Sequence, residues 1–367
     1  MNVPLIDLNI INREIYAEIK DKIEEMIFTS AFVSGKQIEK FEAEFAKYLG
    51  VRHCLAVSTG TAALELALMS LDIKEGDEVI IPTNSFIAAA EAVSRVGAKP
   101  VFAEIEEETY NIDANQVEKL ITKRTKVIVP VHLYGQTAAM DKLKELAKKY
   151  KISLIEDACQ AHGALYKNVK AGALGNLGCF SFYPSKNLGA WGEGGLVSTN
   201  NSKLADKIKI LRDHGAIQKY HHELIGSNFR LIELQGLVLS AKLKHLDEWN
   251  ERRRQAAALY NQLLKDSAIV TPKELPERKH VYYVYVIRSK MRDALQKFLT
   301  GQGIGTGIHF PIPLHLQKAY QYLNYKLGDF PVAERVTQEI LSLPLYPGIT
   351  AEQVKFVAEK IKEFHSA

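Results

Sequence analysis

Cysteine is scarce in this chain of 367 residues: Cys54, Cys159 and Cys179 are all it has. The odd count, with no pair at metal-ligand spacing, argues against a disulfide framework and against a cysteine-based metal site. Each of the three sits in or beside an apolar, strand-like run, where a free thiol packs as a small hydrophobe. Such usage fits a reducing cytoplasm. The opening "MNVPLIDLNI" lacks a basic region followed by an apolar core, so no signal peptide is expected. No apolar run is long enough to span a bilayer. There is little surplus of charge: 47 basic and 43 acidic residues leave a net +4. Without a lysine or arginine run, neither nucleic acid nor a membrane surface is an expected partner. Internal repeats and low-complexity tracts are also missing.

What the chain does have is alternation. The short runs "HCLAVS", "DEVIIP", "AKPVFAEI", "TKVIVPVHLYG", "ISLIEDA", "LGCFSFYP" and "GGLVSTN" read as strands. Helical patterns such as "TAALELALMSL", "SFIAAAEAVSRVG", "DANQVEKLI" and "AMDKLKELAKKY" separate most of them. This predicts an α/β fold with a mainly parallel central sheet covered by helices on both faces. From Leu231 to Leu264 the period stays helical, long enough to bridge two domains. Beyond it, "HVYYVYVIRS" and "TGIHFP" read as strands, and "RDALQKFLTGQG", "PVAERVTQEILSL" and "TAEQVKFVAEKIKEF" as helices. The expected organisation is a large domain over 1–248 and a smaller α+β domain over 249–367.

Three features carry chemistry. In "AVSTGTAALELAL" a strand runs through Ser58, Thr59, Gly60 and Thr61 into a helix. The free N–H groups of a helix start suit a phosphate, and Gly60 allows close approach. Taken alone, these residues could equally be a helix cap. No Gly-Lys-Ser/Thr follows, which excludes a Walker loop. Asp157, in "ISLIEDACQAHGA", falls at the carboxyl end of a buried strand, the edge where open α/β sheets bind ligands. Lys186, in "SFYPSKNLGAWGEGG", stands between an aromatic strand and a glycine-rich turn rather than on a helix surface. Desolvation in a pocket favours the neutral, nucleophilic amine that condenses with aldehydes. Phosphate cradle, strand-end carboxylate and pocket lysine, in this order, describe a site for pyridoxal 5'-phosphate. No metal is expected.

The same residues lie in longer blocks that resemble the DegT/DnrJ/EryC1/StrS sugar aminotransferases, which are fold type I pyridoxal-phosphate enzymes. The resemblance runs over essentially the whole chain, through "VPLIDL", "FEAEFAKYLGVRHCLAVSTGTAAL", "GDEVIIPTNSFIAAAEAV", "VPVHLYGQ", "LIEDACQAHGA", "FSFYPSKNLGAWGEGG", "GSNFRLIELQG" and "IHFPIPLHLQ". It implies that Lys186 bonds the cofactor and shuttles the proton, and that Asp157 holds the pyridine nitrogen. Gln160 is expected near the phenolic oxygen of the ring. Gly60, Thr61 and Ser181 are expected on the phosphate, and Phe86 stacked on the ring. Asn228 is expected to reach the phosphate of the neighbouring subunit, so the resemblance implies a homodimer with shared sites. It also implies L-glutamate as amino donor, the pyridoxamine form as carrier, and a nucleotide-linked keto sugar as acceptor. Relatives with histidine at the position of Lys186 dehydrate the sugar instead, so lysine points to transamination. Phe229 and Leu231 depart from the tyrosine and methionine often found in relatives, keeping bulk and apolarity.

The stretch from Arg212 to Asn250, with its run of Lys219, Tyr220, His221 and His222, is similar to the subgroup acting at C-3 of dTDP-3-keto-6-deoxyhexoses. Lys219 and Tyr220 are candidates for the nucleotide diphosphate. Tyr183 and His309 are candidates for the sugar. His132, His162 and His214 are read as structural. The alternatives are amination at C-4, a desulfurase, and a non-catalytic regulatory protein on the same fold.

Overall fold

The computed structural model describes residues 1–366. Seven strands build its central sheet: β1 His53–Val57, β2 Glu78–Pro82, β3 Lys99–Ala103, β4 Thr125–Ile128, β5 Ser153–Asp157, β6 Leu177–Ser181 and β7 Gly195–Thr199. They are ordered β1-β7-β6-β5-β4-β2-β3. Strand β7 is antiparallel to both β1 and β6, and the remaining neighbours pair in parallel. The α/β fold with a mainly parallel sheet is as expected from the alternation. Largely apolar strands make it possible: every position of the central β2 is buried, as a strand covered on both faces requires. In β2, Val79 and Ile81 face a cluster with Leu64 and Val93, whereas Ile80 faces another with Val117 and Leu143.

Helices α1 Asn9–Phe28, α2 Lys36–Leu49, α3 Gly60–Ser70, α4 Ala88–Arg95, α5 Ala114–Leu120, α6 Met140–Tyr150 and α7 Ser202–Leu211 precede the switch to continuous helix. That continuous pattern divides into α8 Glu233–Leu243 and α9 Leu246–Leu264, which corrects the expectation of one long helix. At the break His245 N–H donates to the Lys242 carbonyl at 3.0 Å, a tightened turn. The turn redirects the chain: α8 buries Leu237 and Val238 against α1, whereas α9 goes on to bury Ala257, Tyr260 and Leu264 in a different cluster. Glu233 opens α8 and caps α2, its carboxylate accepting the N–H groups of Gly35, Gln37 and Ile38 at 2.8, 2.9 and 3.3 Å.

The C-terminal part contains β8 Tyr285–Arg288, α10 Arg292–Gly301, α11 Pro331–Glu339, β9 Ile340–Leu343 and α12 Ala351–Ser366. Strands β8 and β9 pair antiparallel. Three readings change here. "HVYYVYVIRS" is strand only from Tyr285, because Tyr282 is left-handed (φ 44°) and the N–H groups of Val281 and Tyr283 go to the Gly135 and Tyr134 carbonyls. "TGIHFP" forms no strand, only a bridge from Gly307 to Ser342, and Phe310 turns it with φ 64°. "PVAERVTQEILSL" leaves the helix at Glu339 and finishes as β9. Val3 packs with Tyr285, Leu341 and Val357, so the N-terminal segment joins the C-terminal core. Among the described residues no helix is long and apolar enough to cross a membrane.

Candidate active site

The carboxyl ends of β5 and β6 and the start of α3 meet at one edge of the sheet. Asp157 closes β5 and is buried, only 6% exposed. Among the described residues its carboxylate receives one hydrogen bond, from Cys159 N–H to Oδ1 at 3.1 Å. Burial pushes the carboxyl upward, while the Cys159 hydrogen bond and the charges of Lys186 and His132 pull it back. The preceding Glu156 faces the other side of the strand. Its carboxylate accepts Gly172, Leu174 and Gly175 N–H at 2.8, 2.6 and 2.6 Å. It also accepts His132 Nε2–H at 2.8 Å; Ala138 N–H points at His132 Nδ1, which fixes that tautomer. The structural reading of His132 fits this position.

Strand β6 delivers Ser181 and then breaks at Pro184. Lys186 follows on a tight turn, its N–H donating to the Tyr183 carbonyl at 2.9 Å. Gly189 is required there, because a β-carbon would strike the Pro184 carbonyl. The Lys186 ammonium lies over the Tyr283 ring, 4.1 Å from its centroid. At the start of α3, Thr59 is the cap, its hydroxyl accepting Ala62 N–H at 3.0 Å. The N–H groups of Gly60 and Thr61 have no acceptor among the described residues. Gly60 presses on Ser181: a β-carbon on it would stand 2.6 Å from Ser181 Cβ and 3.1 Å from Cys159 Sγ.

Gln160 is buried, and its Oε1 accepts Tyr134 N–H at 3.0 Å. Phe86 presents a flat ring at the edge, 55% exposed, 6.1 Å from the Phe310 ring. His309 is held by Ser342 Oγ at 2.7 Å from Nδ1, and burial, with the Lys186 charge beside it, lowers its imidazole to about 4. His162 lies between Phe180 and Phe182, lowered to about 3 by burial and then by Lys186. Both are therefore neutral at ordinary pH. Burial pushes the thiols of Cys54, Cys159 and Cys179 well up, so none offers the reactive thiolate that desulfurase chemistry needs.

A model of the DegT/DnrJ/EryC1/StrS aminotransferase family matches residues 13–362. The chain belongs to that family. It is 44% identical, over 100% of its length and 99% of the relative's, to a "Pleiotropic regulatory protein" of Geobacillus stearothermophilus. It is 42% identical, over 99% of both chains, to the dTDP-3-amino-3,6-dideoxy-alpha-D-galactopyranose transaminase of Aneurinibacillus thermoaerophilus. Among solved structures it resembles S. venezuelae DesV, solved in complex with a ketimine intermediate (TM-score 0.97, 41% identity, 100% and 99% of the two chains). It also resembles ntda of Bacillus subtilis with bound cofactor PMP (TM-score 0.93, 32% identity, 100% and 86%).

The protein is thus a pyridoxal-phosphate-dependent aminotransferase of fold type I. The residues of this aminotransferase fit that cofactor. A buried carboxylate with one donor can take a ring N–H, and two unpaired N–H groups beside Ser181 can take a phosphate. The fold brings together Gly60, Thr61, Asp157, Gln160, Ser181 and Lys186. Tyr183 is half-exposed beside them. Lys219 and Tyr220 are not part of this cluster. They lie on an exposed hairpin, with the Lys219 ammonium 5.2 Å from the Tyr220 ring. They line an open cleft of about 780 Å³ with His214, His222 and Arg230. Asn228 is exposed, next to Phe229, whose carbonyl accepts Ser58 N–H at 2.8 Å. Sequence reasoning missed Tyr134 and Tyr283. The only local hint is the Tyr134-Gly135 pair, where Tyr134 takes φ 58°.

Proposed function

We propose that this aminotransferase moves an amino group from L-glutamate to C-3 of a dTDP-linked keto-6-deoxyhexose. The observation that carries the chemistry is the buried Asp157 carboxylate, with a single donor, beside Lys186 and the unpaired N–H groups of α3. The choice of acceptor rests on the Aneurinibacillus transaminase and on the Lys219–His222 run. When bound, pyridoxal 5'-phosphate supplies a carbonyl for the amine and an electron sink for the donor's α-carbon. Lys186 Nζ, once released and neutral, takes the α-proton of the donor and returns it during transfer, then repeats both steps in reverse with the sugar. Asp157 keeps the ring nitrogen protonated. Gln160 meets the phenolic oxygen. Gly60, Thr61 and Ser181 bind the phosphate, and Phe86 covers the ring face. Tyr183 and His309, the latter neutral, contact the sugar, and Lys219 and Tyr220 the diphosphate.

The same reading makes the enzyme a cytoplasmic homodimer in which Asn228 completes the neighbour's phosphate site. Its support is an exposed Asn228 without a side-chain hydrogen bond among the described residues, close in sequence to the exposed Tyr220 and Ile225 (83% and 93%). Three free cysteines support the compartment. Residues 1–248 and 249–367 are proposed as domains, although α9 runs continuously across the boundary.

The test starts with an absorbance spectrum of the purified protein before and after L-glutamate. The visible band is expected to give way to the shorter-wavelength pyridoxamine form. The converted enzyme is then offered dTDP- and UDP-linked 3-keto and 4-keto sugars, and return of the visible band is followed. An unchanged spectrum after L-glutamate overturns the donor. Faster return with a 4-keto sugar overturns C-3, and faster return with the UDP sugar overturns the nucleotide.

A further inference from the structure

The Lys186 ammonium meets no carboxylate: among the described residues no salt bridge reaches it, and the group that faces it is the Tyr283 ring, 4.1 Å away at its centroid. Tyr283 is held at three points, one on its ring and two on its backbone. Its hydroxyl shares a hydrogen bond with Ser185 Oγ at 3.1 Å. Its backbone N–H donates to the Tyr134 carbonyl at 2.9 Å. Its carbonyl accepts Arg253 Nη1–H at 3.2 Å, and the same guanidinium also reaches the carbonyls of Tyr282 and Leu345 at 3.4 and 3.0 Å. Arg253 is buried and has no carboxylate partner among the described residues, and its guanidinium ties the Tyr282–Tyr283 backbone to that of Leu345. Tyr282 and Tyr134, on either side of these contacts, both hold left-handed backbone at φ 44° and 58°. Non-glycine residues keep such conformations only where the surroundings enforce them, and they concentrate at functional sites.

We propose that Tyr283 is a further residue of the site, the seat that receives the Lys186 side chain once it is released from the cofactor and holds its ammonium after it has taken the α-proton. The inference rests on the reading of Lys186 given above. Lysine released during turnover becomes charged as it takes the α-proton. A carboxylate would hold that charge strongly, and the carboxylate at hand is Asp157, which is needed on the ring nitrogen. An aromatic face attracts the ammonium weakly, through its quadrupole. It keeps Lys186 close to the reacting carbon, leaves Asp157 free, and lets the lysine return.

The experiment compares wild type, Tyr283→Phe and Tyr283→Leu. In full-length protein stripped of cofactor, the rate at which acetic anhydride labels Lys186 at neutral pH is read by mass spectrometry against Lys219. The ring covers Nζ while the lysine is seated on it. The leucine variant is therefore expected to label about threefold to tenfold faster, and the phenylalanine variant close to wild type. In the loaded enzyme, the leucine variant is expected to convert with L-glutamate about tenfold more slowly at an unchanged KM, with phenylalanine restoring the rate. Tyr283→Met, also without a ring, replaces leucine should that variant be recovered unfolded. Borohydride reduction of loaded wild type separates the two ways of failing. Cofactor fixed to another lysine overturns the reading of the site. Cofactor on Lys186, with a wild-type labelling rate in the ring-less variant, overturns the seat alone.

Discussion

Gly60 and Ser181 stand so close that a β-carbon on the glycine would come within 2.6 Å of Ser181 Cβ. The start of α3 is thereby locked to the end of β6, and the two elements proposed to hold the phosphate form one surface. Gly60→Ala must push α3 away or move Ser181, and overpacking of this kind costs about 1–3 kcal/mol. The displaced surface is the proposed phosphate cradle, so the cost is expected in cofactor affinity. A loss of about tenfold or more is expected in an absorbance titration with pyridoxal 5'-phosphate. Affinity equal to wild type would mean that the phosphate lies elsewhere.

Asp157→Asn separates binding from rate. The amide still accepts a hydrogen bond and fills the same space, so the cofactor should remain bound. It carries no charge to keep the ring nitrogen protonated. The conversion with L-glutamate, followed in a single turnover, is expected to slow by about 10²–10³-fold, the scale on which one preorganised electrostatic contact acts. Near-normal turnover would remove Asp157 from its assigned role.

Much of this site could be read from the sequence because its main residues sit at the ends of strands. Asp157 and Ser181 close buried, apolar strands, and strand ends are visible in a hydrophobic pattern. Lys186 was legible through Pro184 before it and the glycines after it. Tyr134 and Tyr283 were not, because their placement depends on contacts far along the chain: Tyr134 on Gln160, and Tyr283 on Tyr134 and Arg253. "TGIHFP" alternates like a strand, yet only Gly307 finds a ladder partner before Phe310 turns the chain. The helix break at Lys244 has no glycine or proline to announce it. The first turn of α9 still shares clusters with α8, through Leu246 and Trp249, and only its later turns reach a separate cluster with Ala257, Tyr260 and Leu264.

The buried histidines give the fold an acid limit. Burial, with nearby cations, lowers His162 and His280 to about 3 and His309 to about 4, against about 6.5 in an unfolded chain. Between those values the unfolded chain binds protons that the folded chain refuses. Stability from these groups is therefore complete above about 6.5 and is lost as the pH falls, down to about 4 for His309 and about 3 for His162 and His280. His162 is the cleanest case, since neither ring nitrogen makes a hydrogen bond of standard geometry. His162→Leu keeps the volume and removes the titration. From pH 7 to pH 5 the stability difference between variant and wild type, measured by urea unfolding, should move by about 2 kcal/mol in the variant's favour. A difference that stays constant would mean that His162 is not held neutral.

Asn228 tests the shared site. Its side chain is exposed and makes no hydrogen bond among the described residues, which suits a group completed by a second subunit. Lys186→Ala is expected to be inactive, and Asn228→Ala to bind cofactor about tenfold more weakly. If each site combines Lys186 from one chain with Asn228 from the other, a heterodimer of the two variants has one site lacking both residues and one fully intact. Dissociating and reassembling an equimolar mixture makes about half of the dimers mixed, and so restores about a quarter of the wild-type sites. Activity measured at a cofactor concentration too low for Asn228→Ala alone should rise toward that fraction after reassembly. If Asn228 served the phosphate of its own chain, every site in the mixture would still lack one of the two residues, and reassembly would restore nothing.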